Sequence, residues 1–238
     1  MLTLRSAKKC GTADYGWLKA RYSFSFGHYF DPALMGFSYL QVLNQESLAP
    51  GSSFQPRSFP KIDVLNIILQ GEAEYRSSDG QISRAGAGDA LLLSANDNSI
   101  YQESNPCQQH ALLRLQLWLN ACPQQTAPPV QHRSLASDKQ WVLIASPEGS
   151  DGSLQLRQNI WVHQLNYRQG ESLPFRLQGT HCYLQSVSGE LSLQGSKQSL
   201  SMACGDGALI NDESEIYISA VSDGKLLIID CLEEAQAA

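Results

Sequence analysis

Histidine and cysteine, the side chains that most often bind metals or act as nucleophiles, are scattered along this 238-residue chain. Histidines in metal sites commonly show as pairs at short fixed spacings, such as HxH, HxxxH or HExxH. None of these spacings occurs among the five histidines, which are His28, His110, His132, His163 and His181. Histidine spacing alone therefore predicts neither a metal centre nor a catalytic dyad.

The six cysteines include no CxxC pair and no zinc-finger spacing, so we expect free thiols in a reducing compartment. Two of them are redox candidates. Cys10 follows two lysines, whose charges favour the reactive thiolate, and Cys122 opens a segment rich in proline and glutamine where we expect exposure to solvent. Cys182, Cys204 and Cys231 lie in strand-like surroundings and are expected to be buried and inert.

The elements that position these residues are predicted to be β-strands, because most apolar runs are short and bounded by turn residues. Residues 64–69 and 72–76 flank a glycine, and Asp79-Gly80 predicts a hairpin turn after the second run. Short helices are predicted only at residues 15–19 and 138–141.

The same pattern occurs twice along the chain. Paired glycines lie 20 positions apart at 51 and 71 and 19 apart at 170 and 189, and Gly-Asp pairs follow after 17 and 16 positions. Such repetition predicts two tandem β-modules. We place them at residues 1–130 and 131–238, on either side of a connection near the proline-rich segment.

Each module resembles the first motif of the cupins, which contains a glycine, a His-x-His pair, a glutamate and a second glycine in that order. In the first module these positions hold Gly51, Arg57-Ser58-Phe59, Asp63 and Gly71. The N-terminal half is more specifically similar to the pirin family, through Phe-Ser-Phe-Gly-His-Tyr-Phe-Asp-Pro at residues 24–32 and Ala-Pro-Gly at residues 49–51. The resemblance implies an all-β bicupin, with two tandem cupin β-barrels and few short helices.

In pirins, three histidines and one glutamate hold iron or another divalent metal. The matching positions here are Arg57, Phe59, Tyr101 and Glu103, so one ligand of four is present. Arginine has no acceptor lone pair, phenylalanine has no donor atom, and one carboxylate does not retain a divalent transition metal against water. The resemblance therefore implies a degenerate site with no metal and no cofactor.

The second module offers no metal site either. Its matching positions hold Arg176, Gln178 and Cys182, and we expect Cys182 to point into the barrel.

Arg57 can replace the positive charge of the missing metal. We therefore predict an internal ion pair between Arg57 and Glu103, which would satisfy a buried carboxylate without an ion. A second interpretation is that Arg57 and Tyr101 bind a small anionic ligand at the barrel mouth, a common location of ligand sites in β-barrels.

Three functions remain open. The first is a non-enzymatic pirin-like bicupin that has lost its metal site and is redox-sensitive or binds a small anion. The second is a metal-dependent oxygenase of the quercetin 2,3-dioxygenase type, which the resemblance implies for some pirins and the substitutions oppose. The third is a transcriptional cofactor that binds a protein partner, as the resemblance implies for other pirins.

The net charge of −6, the pI near 5.3 and the absence of a lysine or arginine run predict no direct binding of nucleic acid. No apolar stretch reaches the ~18 residues of a membrane span, and the first residues lack the apolar core of a signal peptide. We therefore expect a cytoplasmic protein. A monomer is also expected, because tandem fusion supplies the contact that single cupins commonly obtain by dimerising.

Overall fold

A computed structural model describes residues 1–97, 99–122, 124–135 and 138–233, and strands dominate it. Two single 3-10 turns occur in this part of the chain, at Ala7–Lys9 and Ser150–Gly152. The strands are β1 (Leu2–Arg5), β2 (Gly11–Asp14), β3 (Leu18–Tyr22), β4 (Leu40–Leu48), β5 (Arg57–Ser58), β6 (Ile62–Gln70), β7 (Glu72–Ser77), β8 (Ile82–Gly86), β9 (Asp89–Ser94), β10 (Ile100–Ser104), β11 (Leu112–Asn120), β12 (Val130–Ser134), β13 (Trp141–Ser146), β14 (Leu154–Gln155), β15 (Ile160–Tyr167), β16 (Ser172–Arg176), β17 (His181–Ser188), β18 (Leu191–Gln194), β19 (Ser199–Met202), β20 (Gly207–Asn211), β21 (Glu215–Ala220) and β22 (Gly224–Cys231).

The strands form two barrels of the same design, which confirms the predicted all-β bicupin. In the first barrel a seven-stranded sheet, β12-β9-β6-β11-β4-β3-β2, faces a four-stranded sheet, β5-β10-β7-β8. In the second barrel β1-β20-β17-β22-β15-β13-β14 faces β16-β21-β18-β19. Within the described residues, no helix is long and apolar enough to span a membrane.

Three apolar clusters hold the barrels together. One fills the first barrel around Phe59, and another fills the second barrel around Cys182. The third contains Leu117 and Ile229 and joins the two seven-stranded sheets, so the barrels pack back to back. Burial of this apolar surface is the main force that stabilises such packing.

The alternation along β11 shows how one strand serves two of these clusters. Neighbouring side chains on a strand point to opposite faces of the sheet. Leu115, Leu117 and Leu119 point towards the second barrel, whereas Arg114 and Gln116 lie on the opposite face. The strand is therefore buried on both faces and brings two polar side chains into the first barrel.

The two predicted helices are wrong. Residues 18–22 form β3, which pairs with β4, and the chain enters β13 at Trp141 without a helical turn at Asp138. In both places pairing with a neighbouring strand overrides the local sequence preference. The hairpin at Asp79-Gly80 is confirmed between β7 and β8, with Gly80 at a φ of 85°.

The predicted boundary between residues 130 and 131, placed to within several residues, falls in β12. That strand pairs with β9 and belongs to the sheet of the first barrel through Ser134. At the other end of the chain, β1 pairs with β20 and belongs to the sheet of the second barrel. The first barrel therefore includes β12, which extends past residue 130, and the second barrel includes β1, which precedes the whole first barrel in the sequence.

Candidate functional site

The four positions that match the metal ligands of pirins lie together in the first barrel. Tyr101 on β10 pairs with Arg57 on β5, and Phe59 follows β5 directly. The Arg57 side chain donates to Glu103 Oε1 from Nη2 at 2.6 Å and from Nε at 3.2 Å. The predicted ion pair is therefore confirmed.

Arg57 is held between two aromatic rings at the mouth of the barrel. Its guanidinium carbon lies 4.6 Å from the ring centroid of Phe54 and 5.0 Å from that of Phe59. Such contacts add cation–π attraction to the ion pair. Phe59 is buried, and Tyr101, also buried, has its ring centroid 6.2 Å from that of Phe59. Burial raises the pKa of the Tyr101 phenol.

Arg114, which was not among the site residues predicted from the sequence, completes the site from deeper inside the barrel than Arg57. Arg114 on β11 is fully buried, and its Nη1 lies 2.6 Å from Glu103 Oε2 and 2.9 Å from the Tyr75 hydroxyl. Its Nε and Nη2 donate to Glu46 Oε2 at 3.1 and 2.8 Å. Two guanidinium groups therefore balance two carboxylates inside the barrel.

Gln116 joins this network on the next inward-facing position of β11. Its Nε2 lies 2.9 Å from Glu103 Oε2 and 3.0 Å from Asn66 Oδ1, and its Oε1 accepts from the indole nitrogen of Trp118 at 3.0 Å. Burial alone would raise the pKa of Glu103, but the charges of Arg114 and Arg57 outweigh burial and lower this pKa to about 2. Glu103 is therefore an ionised acceptor at all ordinary pH values.

The interior of the first barrel also contains two polar atoms that lack a partner among the described residues. They are Asn44 Oδ1 and Asn66 Nδ2, and both side chains are fully buried. Among these residues, no group of three or more His, Cys, Asp or Glu is arranged to hold a metal ion.

The second barrel separates the three positions predicted from its motif. Arg176 and Gln178 are exposed, whereas Cys182 is fully buried in the apolar cluster of the barrel. The prediction that Cys182 points into the barrel is confirmed, and burial raises the pKa of its thiol. Arg176 does not accompany it there.

All six cysteines are free, and their exposure differs in part from the prediction. Cys182 and Cys231 are buried as predicted, but Cys204 is exposed, because it lies in the turn before β20 rather than in a strand. The redox candidates Cys10 and Cys122 are both half-buried.

The prediction that Lys8 and Lys9 favour the thiolate of Cys10 is wrong. Burial raises the pKa of this thiol, and the charges that oppose the rise belong to Arg5 and Arg21 rather than to the preceding lysines. The Cys10 Sγ lies 3.5 Å from the Ser6 carbonyl oxygen.

Arg114 and Gln116 could have been recognised from one signal in the sequence. They occupy alternate positions of the run Leu-Leu-Arg-Leu-Gln-Leu-Trp-Leu, in which every neighbour is apolar. Polar residues on one face of a strand that is buried on both faces require internal partners. The identity of those partners depends on strand order, which the sequence alone did not provide.

Comparison with protein families finds two matching models. The family model described as Pirin matches residues 3–119, and the model described as Quercetinase C-terminal cupin domain matches residues 143–231. Together they cover most of both barrels.

Curated relatives match over nearly the whole chain. The pirin-like protein YhaK of Escherichia coli K12 is 53% identical over 231 residues, covering 97% of this chain and 99% of the relative. A quercetin 2,3-dioxygenase of the same strain is 30% identical over 231 residues, covering 97% and 98%.

Solved structures match to the same extent. The bacterial pirin YhhW of Escherichia coli in complex with nickel(II) has a TM-score of 0.91 and 28% identity, covering 98% of this chain and 100% of that one. The structure of Escherichia coli YhaK has a TM-score of 0.80 and 49% identity, covering 95% and 100%.

Proposed function

This chain belongs to the pirin family, and from that premise we propose that it is a pirin-like bicupin that works without a metal and does not act as an oxygenase. In place of metal chemistry, we propose that it responds to oxidants through a thiol. The first part rests on the geometry around Glu103, and the second rests on the position of Cys122.

The observation that supports a metal-free barrel is the complete use of Glu103 as an acceptor. A carboxylate offers about four lone-pair sites. Two guanidinium nitrogens of Arg57 occupy Oε1, while a guanidinium nitrogen of Arg114 and the amide of Gln116 occupy Oε2. A metal could bind this carboxylate only by displacing charged donors from a buried site, where such hydrogen bonds are strongest.

The electrostatics support the same proposal. A divalent cation at Glu103 would lie beside the positive charges of Arg57 and Arg114, and like charges repel strongly where water is excluded. Phe59 and Tyr101 complete the set of matching positions without an imidazole. The relatives named as quercetin 2,3-dioxygenases, and the nickel-bound YhhW, therefore differ from the chemistry we propose for this chain.

Metal content tests the proposal directly. After incubation with nickel or iron and dialysis, the wild-type protein should contain far less than one metal ion per chain, and its turnover of quercetin should equal that of a protein-free control. The positive control is the triple variant Arg57→His, Phe59→His and Tyr101→His, which retains Glu103. Three imidazoles and one carboxylate suit divalent iron or nickel, so this variant should bind metal and melt at a higher temperature when metal is added.

Stoichiometric metal in the wild-type protein, or quercetin turnover that depends on it, would overturn the metal-free proposal. A triple variant that folds but shows no metal-dependent rise in Tm would contradict the assignment of these residues to one site.

Cys122 is the thiol that we propose as the point of oxidation. It is half-buried at the end of the first barrel, and its main-chain N–H donates to the Arg157 carbonyl oxygen at 2.7 Å. Arg157 in turn anchors the two barrels to each other through Asp63. A sulfenic acid or a mixed disulfide at Cys122 would therefore form next to the contact that joins the barrels.

Mild peroxide should modify Cys122 before Cys10, Cys182 and Cys231, because burial disfavours the thiolates of those three cysteines. Peptide mapping by mass spectrometry gives the order of modification. Cys204→Ser is the matched control, since it removes an exposed thiol away from Arg157, and it should leave the rate at Cys122 unchanged. Earlier modification of Cys182 or Cys231 would refute this assignment.

The alternative of a small anion at Arg57 has less support, because Glu103 already neutralises that guanidinium. The alternative of a protein-binding cofactor stays a prediction.

A further inference from the structure

A cavity of about 620 Å³ opens between the two barrels, away from Glu103. Its lining includes Arg133 on β12, Trp141 on β13 and His163 on β15, together with Lys139 and Asp151. Its volume falls within the range of small-molecule sites, and contacts between domains are a common location for such sites. We call it the β13 cavity.

Arg133 brings a positive charge to the β13 cavity, although the chain as a whole carries a net charge of −6. Arg133 donates from Nη1 to the carbonyl oxygen of Leu143 and from Nη2 to that of Asp151 at 3.3 Å. Both acceptors are neutral, so these bonds fix the guanidinium without cancelling its charge.

His163 supplies a neutral donor in the same cavity as Arg133. Its Nε2 is buried and has no partner among the described residues, which leaves Nδ1 as the ring nitrogen that can meet a ligand. A buried N–H without an acceptor is costly and rare. The favoured tautomer therefore carries the proton on Nδ1, where it can be donated into the cavity.

An aromatic wall completes the cavity. Trp141 stacks on Phe175 with ring centroids 5.6 Å apart, and His163 meets the edge of the same Phe175 ring at 5.6 Å. These contacts hold Trp141 and His163 in place, so the apolar side of the cavity is preorganised.

We propose that the β13 cavity binds a small aromatic or aliphatic carboxylate, with the carboxylate paired to Arg133 and hydrogen-bonded by His163, and with its apolar body against Trp141. A planar guanidinium matches the two oxygens of a carboxylate. This site is independent of the metal-free first barrel and of the reactive thiol.

The groups that face His163 determine how it responds to such a ligand. Arg133, Lys139 and Asp151 line the cavity around it. From β22, Ile228 pairs with His163, and Asp230 lies two residues further along with its carboxylate bonded to the N–H groups of residues 178 and 179. β13 and β16 contribute the apolar and aromatic neighbours already named. A carboxylate ligand bound in the cavity would therefore add a negative charge next to the His163 imidazole.

Benzoate and its neutral isostere benzamide test the proposal. We expect benzoate to bind the wild-type protein about tenfold more tightly than benzamide, because a charge-assisted hydrogen bond accounts for at least that factor. Arg133→Gln should abolish this preference, and Arg133→Lys, which keeps the charge, should retain part of it. Arg168→Gln, at an exposed arginine outside the cavity, is the matched control and should keep the full preference.

NMR of the His163 ring provides a readout that a purely structural role would not change. Burial lowers the pKa of His163 to about 4. Bound benzoate should raise this pKa, and by linkage its affinity should increase as the pH falls, whereas benzamide should do neither. His163→Phe should weaken benzoate binding and remove this pH dependence.

Equal affinities for benzoate and benzamide, a preference that survives Arg133→Gln, or spectral changes that map away from Trp141 and His163 would each overturn the proposal. So would the absence of saturable benzoate binding. The comparison of two ligands on one variant separates loss of binding from loss of stability, because misfolding would reduce both affinities alike.

Discussion

Glu103 forms ion pairs with two arginines that differ in burial, because Arg57 reaches the mouth of the barrel whereas Arg114 is enclosed. Removing a partner from a buried ion pair leaves an uncompensated charge, and the cost rises with burial. The two arginines should therefore contribute unequally to stability even though they bind the same carboxylate.

Arg114→Met should lower the free energy of unfolding by roughly 3–5 kcal/mol, because it deprives Glu46 and Glu103 of a buried cation. Arg57→Met should cost less, about 1–3 kcal/mol, since Glu103 keeps Arg114 and Gln116. Urea denaturation measures both values. Arg84→Met, which removes an exposed ion pair with Glu74, is the control and should have the smallest effect.

His163 predicts a specific pH dependence of stability. Its pKa in the folded protein is about 4, below the ordinary value of 6.5, because burial disfavours the charged ring. Between pH 6.5 and pH 4 the His163 ring is protonated in the unfolded chain but stays neutral in the folded protein. The free energy of unfolding therefore decreases as the pH falls through this range. His163→Phe should flatten the slope of unfolding free energy against pH in this window, and His110→Gln, at an exposed position, is the matched control. An unchanged slope in the phenylalanine variant would contradict the assignment.

The Arg57–Glu103 pair could be predicted because both residues fall on motif positions whose places in the barrel the family resemblance supplies. The contact between Arg114 and Glu103 could not be predicted, because it depends on how β11 lies relative to β10. The cations that act on Cys10 could not be identified for the same reason, since Arg5 and Arg21 reach the thiol through folding rather than through sequence proximity.

At the scale of elements, turns were more predictable from the sequence than the type of segments that pair with a distant strand. Gly71, Gly80, Gly88, Gly170 and Gly189 all adopt positive φ values between 79° and 85°, which only glycine adopts without strain. Their spacing therefore located the hairpins of both barrels correctly. Residues 15–19 instead gave a false helix, because local preference does not reveal that β4 offers a partner strand.

β12 shows how weakly an edge strand is marked in the sequence. The proline-rich segment indicated a connection, but β12 continues the first sheet beyond it by pairing with β9. Edge strands contribute to a sheet through main-chain hydrogen bonds, which leave a weak trace in sequence.

At the scale of the whole molecule, one buried ion pair joins the two barrels. Arg157 Nε donates to Asp63 Oδ1 at 2.8 Å, and the Arg157 main-chain N–H donates to Asp63 Oδ2 at the same distance. Its Nη2 also donates to the carbonyl oxygens of Ile62 and Ala95 at 2.8 Å. The Arg157 side chain therefore donates hydrogen bonds to carbonyl oxygens at the start of β6 and just after the end of β9, both in the first barrel.

Arg157→Met should lower the free energy of unfolding by about 3–5 kcal/mol, because it leaves the buried carboxylate of Asp63 without a cation. The double variant Arg157→Met with Asp63→Leu should recover part of that loss, since no buried charge remains. Calorimetry should show one transition for the wild-type protein and two for the single variant, as the barrels begin to unfold separately. A double variant less stable than Arg157→Met would show that the pair matters for reasons other than its charge.

β1 places the second residue of the chain opposite Ile210 on β20. During synthesis β1 emerges from the ribosome long before its partner β20, because the strands of the first barrel lie between them in the sequence. The second sheet therefore closes late, and pairing between such distant segments is intrinsically slow. Until β20 is available, the unpaired edge of β1 can form hydrogen bonds with strands of other nascent chains. The yield of folded protein in the cell should accordingly depend on the rate of translation and on chaperone capacity more than on the stability of the finished fold.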